Sequence, residues 1–318
     1  MRFLLAFFIG FFPLLADAQL VDLEISGPAF DVMDLAGLRR PVEYPVTFSV
    51  NDFETKPWMK EFEWVIVVNK ATTGDDRQSL RIYRNQVLVD ASTIEQDLYS
   101  ESASLSWHLK DFPKRVWEHG VFKISTGREE FEAKGEHGAQ RDNYTITPSG
   151  YFVPQYFVRK HKSEAYSNQS CGGKARTVTE ERVVGRWPNQ RVVRTTRTIQ
   201  PVKCVYMEDV IFFNGGIALH KAISGTEPVL GAKASGGCVR MPGAVSAYLY
   251  KNLKDAKSVD LPLVKQDGTA AVDSAGNIIR VSRNKSVWGE LDARSVLIIV
   301  HSTVTQRPVP IPTPRPEF

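Results

Sequence analysis

The sequence predicts a mostly β fold with a few helices and a basic β-hairpin inserted into it. Short apolar or alternating runs rich in β-branched and aromatic residues recur from Trp64 to Val300, a pattern that suits pleated, half-buried surfaces. Helical spacing with good helix formers stands out at Ala244 to Leu253, too little for a helical fold. Between Cys171 and Cys204, two β-like halves rich in arginine flank a turn.

Taken in order, Arg2 precedes the apolar run Phe3 to Leu15, and Ala16-Asp17-Ala18 supplies small residues where a signal peptidase cuts,. Residues 1–18 are therefore expected to be a signal peptide cleaved before Gln19, since Gly10 and Pro13 argue against a buried helix,. The mature chain is expected in the periplasm or cell envelope, an oxidising setting. Residues 19–60 mix turn residues with short apolar pieces and read as an irregular or small β preface. Trp64 to Asn69 (WVIVVN) is a buried-strand run, and Leu80, Ile82, Val87 and Val89 alternate about Asn85-Gln86 as a hairpin does,. Residues 95–118 interrupt the strands and suit a helical insertion packed on the sheet. VFKISTG (121–127), the stretch 145–158 with its Pro-Ser-Gly turn, VIFFNGGIALH (210–220) and SVLIIV (295–300) continue the sheet,. The tail 304–318 has proline at every second position from Pro308 to Pro316, an extended polyproline-like composition,. No internal repeat is visible.

Composition excludes several classes. With 318 residues and 42% of them hydrophobic, the chain has enough apolar surface for a large core and is not disordered as a whole,. A net charge of +4 is too small to make nucleic acid a default partner,. No window holds the roughly 20 uninterrupted apolar residues that a spanning helix needs, so no stable membrane insertion is expected after signal cleavage. Three cysteines are too few for a disulfide scaffold, and an odd count leaves one unpaired within the chain,.

Charge is local instead. The 32 residues between Cys171 and Cys204 carry eight Lys or Arg against Glu180 and Glu181, a net of +6, so the remainder sums to −2. A disulfide between the two cysteines would close this ribbon at its base and stabilise it by about 3 kcal/mol through lost chain entropy. A solvated, charge-protected β-arm explains the ribbon. So does a surface that meets an anionic polymer such as the cell wall.

The chemistry-bearing pair is His220 and Cys238, 18 residues apart across a segment with four glycines and a proline. Cys238 follows Gly236-Gly237 and precedes the helix expected from Ala244, where backbone N–H groups can support a thiolate and a substrate can approach the chain closely. A cysteine nucleophile needs a base, and His220 at the end of a strand can supply it. The plainer reading is a buried core cysteine with a satisfied histidine, and the glycines before Cys238 argue against it. The six histidines show no ligand spacing, so neither metal nor cofactor is expected,. The acids Glu129, Glu130 and Glu132 are too clustered for a glycosidase pair and read as a solvated face,.

These residues resemble a known family, the L,D-transpeptidase (YkuD) catalytic domain. Its signature is a histidine followed, after a glycine-containing loop, by Ser/Thr-His-Gly-Cys-x-Arg/Asn, and here ALH (218–220) leads to ASGGCVRM (234–241). VFKISTG resembles its strand ending in Ser-Thr-Gly, TPSGYF (147–152) its Thr-Pro-Thr-Gly-x-Phe turn, and His161-Lys162-Ser163 with Tyr166 a segment lining the donor cleft. The resemblance covers residues 61–303 and implies a β-sandwich or barrel-like catalytic domain, with 95–118, 171–204 and the residues near 255–290 as insertions.

By that resemblance Cys238 attacks a carbonyl of a peptidoglycan stem tetrapeptide and releases the terminal D-amino acid, with His220 as general base. Gly237 and Cys238 N–H groups would form the oxyanion hole, Ser235 and Gly236 shape the loop, and Arg240, His161 and Tyr166 meet substrate. The acyl group would pass to an amine, giving a 3-to-3 cross-link or D-amino acid exchange. Water as acceptor would make the protein an L,D-carboxypeptidase, and a non-catalytic wall-binding protein using the ribbon and tail is the alternative of another class. One position departs from the family: the histidine usual between Ser and Gly is Gly236. The loss leaves the catalytic pair intact but alters the pocket where an acceptor arrives.

Overall fold

The computed structural model describes residues 30–33, 39–99, 117–167, 171, 176–185, 188–199, 204–256, 260–281, 283–286, 289–292 and 294–304. The expected signal peptide, the proline-rich tail beyond residue 304 and residues 100–116 of the 95–118 stretch lie outside the described residues.

In chain order the main elements are β1 (Trp64–Asn69), β2 (Ser79–Arg84), β3 (Val87–Leu88), α1 (Ala91–Tyr99), β4 (Trp117–Glu118), β5 (Val121–Lys123), β6 (Gly150–Phe152) and β7 (Tyr156–Lys162). They continue with β8 (Arg176–Val184), β9 (Arg191–Ile199), β10 (Tyr206–Asn214), β11 (Ile217–Lys221), β12 (Val239–Met241), α2 (Gly243–Lys254) and β13 (Val296–His301). A seven-stranded sheet runs β6-β13-β1-β2-β5-β4, with β3 paired to β2, and a four-stranded sheet runs β7-β10-β11-β12. The mostly β expectation holds.

The main core fills the space between these sheets. Trp64, Ile66 and Val68 on one face of β1 join Ile298 and Val300 of β13, Ile211 and Phe213 of β10, Val239 of β12, and Tyr248 and Leu249 of α2. Helix α2 is buried along most of its length, with Lys251 and Lys254 in its last turn, where cations offset the carbonyl end of the dipole,. The opposite face of β1 is buried too. Val65 and Val67 pack with Leu297 and Ile299 under Phe53, Trp58, Met59 and Phe62. Covering on both faces is why WVIVVN is an unbroken apolar run, and it pairs with β13 in parallel from Trp64 opposite Val296 to Asn69 opposite His301,.

The 19–60 preface therefore contributes more than a leader. Phe30–Met33 and Arg39–Pro41 form a small hairpin, while the short helical turns Asp52–Thr55 and Pro57–Glu61 lie over the second face of the large sheet. The hairpin expected at Asn85-Gln86 has both residues in the left-handed region (φ 47° and 68°), the geometry of a tight two-residue turn,. In the 95–118 stretch, the described part holds the end of α1, whose start is capped by Asp90 accepting from the Thr93 N–H at 2.8 Å, while Trp117–Glu118 is strand β4 paired to β5 and not helix,.

Strands β8 and β9 form a separate two-stranded ribbon with nine facing pairs, Arg176 opposite Ile199 through Val184 opposite Arg191. Cys171 and Cys204 are bonded at its base with Cα atoms 4.9 Å apart. Its two acids are paired, Arg194 with Glu181 and Arg197 with Glu180, each at 2.6 Å.

Candidate active site

Parallel pairing of β11 with β12 places His220 opposite Arg240 and Leu219 opposite Val239, so Cys238, just before β12, stands level with Ala218 near the start of β11. The intervening loop 222–238 crosses back over the sheet edge. It is held from behind by the Ser-Thr-Gly segment: Ser125 pairs with Arg240, Gly127 with Ser235, and the Ala234 and Ser235 N–H groups both donate to the Thr126 carbonyl. Thr147, from the Thr-Pro-Ser-Gly turn, completes the brace by donating its hydroxyl to the Gly237 carbonyl at 2.6 Å and accepting from the Gly127 N–H at 2.9 Å. Sequence segments near 125, 147, 163, 220 and 238 thus converge on one cleft.

The cleft is lined by Cys238, His220, Arg240, Ser235, Gly236, His161 and Tyr166 together with Tyr156, Phe212 and Gly216. The structure brings together every singled-out site residue except Gly237, which lies within the loop that Thr147 braces, and the two cysteines, which close the ribbon at its base. Tyr156 stacks on Phe212 with ring centres 4.3 Å apart, and His161 meets the same ring edge-on at 5.1 Å. Tyr156 was not singled out from the sequence, because an aromatic in a β run is indistinguishable from a core residue until its partner is known.

His220 is 2% exposed, and its Nδ1–H donates to the Lys221 carbonyl at 2.6 Å. That bond fixes the tautomer and leaves Nε2 with the free lone pair. Burial, with a smaller contribution from the Arg240 charge, pulls the imidazole down to about 4 against the opposing Lys221 carbonyl. Cys238 is the free cysteine, partly exposed, with its thiol directed at the Gly216 carbonyl at 3.8 Å. Burial of the sulfur pushes its thiol up, against a backbone hydrogen bond and Arg240. At neutral pH the cleft accordingly holds a protonated thiol and a neutral imidazole.

Ser235 organises the turn. Its hydroxyl donates to the Cys238 carbonyl and accepts from the Gly237 N–H at 3.1 Å. The Gly237 N–H expected to serve an oxyanion hole is thus occupied within the loop, because the serine side chain folds back two residues onto it. Gly237 itself has φ +122°, and a Cβ there would lie 3.2 Å from the Ile146 carbonyl, so only glycine fits without strain,. Arg240 is half-buried and donates to the Ala234 carbonyl at 3.2 Å.

The acidic cluster read as a solvated face is not one. Glu130 is exposed, but Glu129 bridges buried Lys70 and Lys233, and the Glu132 carboxylate is fully buried. Both Glu132 oxygens are satisfied: Arg128 and His137 Nδ1 (3.1 Å) on Oε1, and Tyr166 Oη (2.8 Å) and Asn143 (3.2 Å) on Oε2. Three acids in four positions carry no sequence mark of which one turns inward. Among the described residues no group of His, Cys, Asp and Glu could hold a metal ion.

A thiol and an oriented imidazole on neighbouring parallel strands, behind a glycine loop braced by Ser-Thr-Gly and Thr-Pro, define a protein with the cleft of an acyl-transfer enzyme. The family model of the L,D-transpeptidase catalytic domain (YkuD) matches residues 108–266, half of the chain, and the chain belongs to that family. The family resemblance seen in the sequence is therefore correct. A solved structure described as LD transpeptidase LdtMt1 in complex with imipenem is 10% identical with a TM-score of 0.29, over 75% of this chain and 59% of that one. This chain thus spans about three fifths of that chain's length. No curated protein matches.

Proposed function

We propose that the protein is a peptidoglycan L,D-transpeptidase in which Cys238 is the nucleophile and His220 the general base. The observation that carries this reading is the His220–Lys221 hydrogen bond, which commits Nδ1 and leaves a basic Nε2 in the cleft it shares with the Cys238 thiol. Sγ attacks the carbonyl joining the third residue of a stem tetrapeptide to the terminal D-amino acid, and the thiol proton passes to Nε2. The tetrahedral intermediate collapses, the C–N bond breaks, and the imidazolium returns the proton to the leaving amine. The thioester is then resolved by a side-chain amine of a second stem or by a free D-amino acid. Resolution by water gives the carboxypeptidase outcome with the same residues. Oxyanion stabilisation falls first to the Cys238 N–H, with Gly237 joining if Ser235 releases it.

Export by the 1–18 signal peptide supplies the compartment in which this substrate and the Cys171–Cys204 bond occur. The ribbon is proposed to rest against an anionic wall polymer. Exposed Arg182 and Arg191 near its tip are compatible with that role.

Intact mass spectrometry of the mature protein with a disaccharide-tetrapeptide, wild type against Cys238→Ala, tests the assignment. A covalent adduct and released D-amino acid dependent on Cys238 support it, with cross-linked dimers or tripeptide monomers reporting the acceptor. Turnover by Cys238→Ala rejects it, and no adduct with no turnover by the wild type rejects it in favour of the wall-binding alternative.

A further inference from the structure

Gly236 sits where the family carries a histidine, and its neighbours explain why no side chain stands there. A Cβ built on Gly236 would lie 1.8 Å from Tyr166 Oη and 2.6 Å from its Cζ. Gly236 is absent from the left-handed region, so the demand for glycine is one of space, not of backbone conformation. The phenol has moved into the volume that a side chain at 236 would fill.

Tyr166 is clamped in that place. Its hydroxyl donates to Glu132 Oε2 at 2.8 Å, and Arg128 holds the other oxygen of the same buried carboxylate. Arg128 also reaches the Ala234 carbonyl at 3.4 Å, the acceptor that Arg240 uses from the cleft side at 3.2 Å. The backbone around Tyr166 is fixed as well: its N–H donates to Ser163 Oγ at 3.3 Å, the Ala165 carbonyl accepts from the Gln140 N–H at 2.8 Å, and Ser163 and Ser167 bond to Val205 beside the ribbon disulfide. A carboxylate with no exposed atom that accepts from four side chains is a built support, and it ends on a hydroxyl against the cysteine loop.

We propose that Tyr166 is a specificity-determining residue of this site: held by Glu132 and Arg128, it occupies the volume vacated at Gly236 and sets the wall beside Cys238 past which the group that resolves the acyl-enzyme must come. The inference rests on the reading of Cys238 as nucleophile. Burial and the Glu132 hydrogen bond push the phenol up to about 12, so it stays protonated and remains a donor to the carboxylate. Its role is to position and select, with no bond made or broken at Tyr166. The family's histidine offers a ring from the cysteine loop itself, whereas here the ring comes from the 163–167 segment and is stiffened from behind.

The experiment follows the acyl-enzyme of the full mature chain and reads how it divides between an added amine, meso-diaminopimelate or a free D-amino acid, and water. Tyr166→Phe keeps the ring and removes the hydroxyl's tie to Glu132, and should shift the amine-to-water ratio by about tenfold, the scale of one lost hydrogen bond to a charged group. Gly236→Ala should shift it in the same sense, because the methyl displaces the phenol. Gly236→His should be far more defective alone than when combined with Tyr166→Ala, which reopens the space, so the double variant exceeds the product of the singles by at least about tenfold. An unchanged partition ratio in Tyr166→Phe and Gly236→Ala, or additive effects in the His and Ala pair, overturns the inference. Circular dichroism and Cys238 adduct formation are read on each variant. A variant that folds and forms adduct with an altered ratio supports the selective role, whereas equal loss of adduct and fold in all of them overturns it in favour of a purely structural one. Absence of adduct in the wild type would instead reject the nucleophile assignment.

Discussion

A histidine in water is half-protonated near pH 6.5, and burial has moved His220 to about 4 by stripping the imidazolium of solvent,. Two expectations follow at the scale of this side chain. Acylation of Cys238 should keep its rate as pH falls through 6 and lose it only on approaching about 4, because the base remains neutral until then; a stopped-flow pH profile with an acid limb near 6.5 would contradict the burial argument. His220→Gln should lower acylation by about 10²–10⁴-fold, the usual span for a lost general base, read as the rate of adduct formation.

Asp209 illustrates the opposite shift. Burial lifts its carboxyl from 3.8 to about 6, against the attraction of Arg159. Between those values the folded protein keeps a proton that the unfolded chain has released, so this group's contribution to stability is present at low pH and lost as pH rises toward 6 and beyond. Asp209→Asn mimics the protonated acid. Its unfolding free energy relative to wild type should therefore improve by about 1–3 kcal/mol between pH 4 and pH 7, measured by urea titration at each pH. A constant difference would show that Asp209 does not titrate in this range.

At the scale of elements, the ribbon and the cysteine loop are tied through one short segment. The 163–167 turn hydrogen-bonds to Val205, next to bonded Cys204, and it carries Tyr166. Thiol titration of the denatured, unreduced mature protein should give one reactive thiol, and three would show the ribbon open at its base. Cys171→Ser with Cys204→Ser should cost about 3 kcal/mol and lower the melting temperature by several degrees, seen by calorimetry.

Much of this level was legible. WVIVVN, SVLIIV and the Asn85-Gln86 hairpin declare themselves by local pattern, because a strand buried on both faces is apolar throughout and a two-residue turn needs residues tolerant of positive φ. The acidic cluster at 129–132 was not legible. Strand alternation sends neighbouring acids to different environments, and only the arrival of Arg128, Asn143 and Tyr166 makes the inward position tolerable for Glu132,.

At the scale of the whole molecule, the large sheet is covered on one side by the main core and on the other by residues 53–62. The family match begins only at residue 108, yet the parallel β1–β13 pair and its cover lie largely outside it. A chain beginning at Trp64 would expose the face formed by Val65, Val67, Leu297 and Ile299 and should aggregate, whereas one beginning at Arg39 should remain monodisperse in size-exclusion chromatography. Met59→Ala, at a position with no exposure, should cost about 2–5 kcal/mol in chemical denaturation,.

The sequence by itself determined the strands, the ribbon, the pairing of a histidine with a cysteine behind a glycine loop, and through them the family. Each of these is written in neighbouring residues, where period, turn chemistry and motif spacing act over a few positions. Tertiary structure alone decided which proton the imidazole holds, that the Gly237 N–H is spent on Ser235, and that Tyr166 fills the space at Gly236. Tyr166 reaches Gly236 from 70 residues away along the chain, and although the His220–Lys221 and Ser235–Gly237 bonds are local, the burial and the bracing around them come from distant segments, and no local pattern encodes what will be brought alongside.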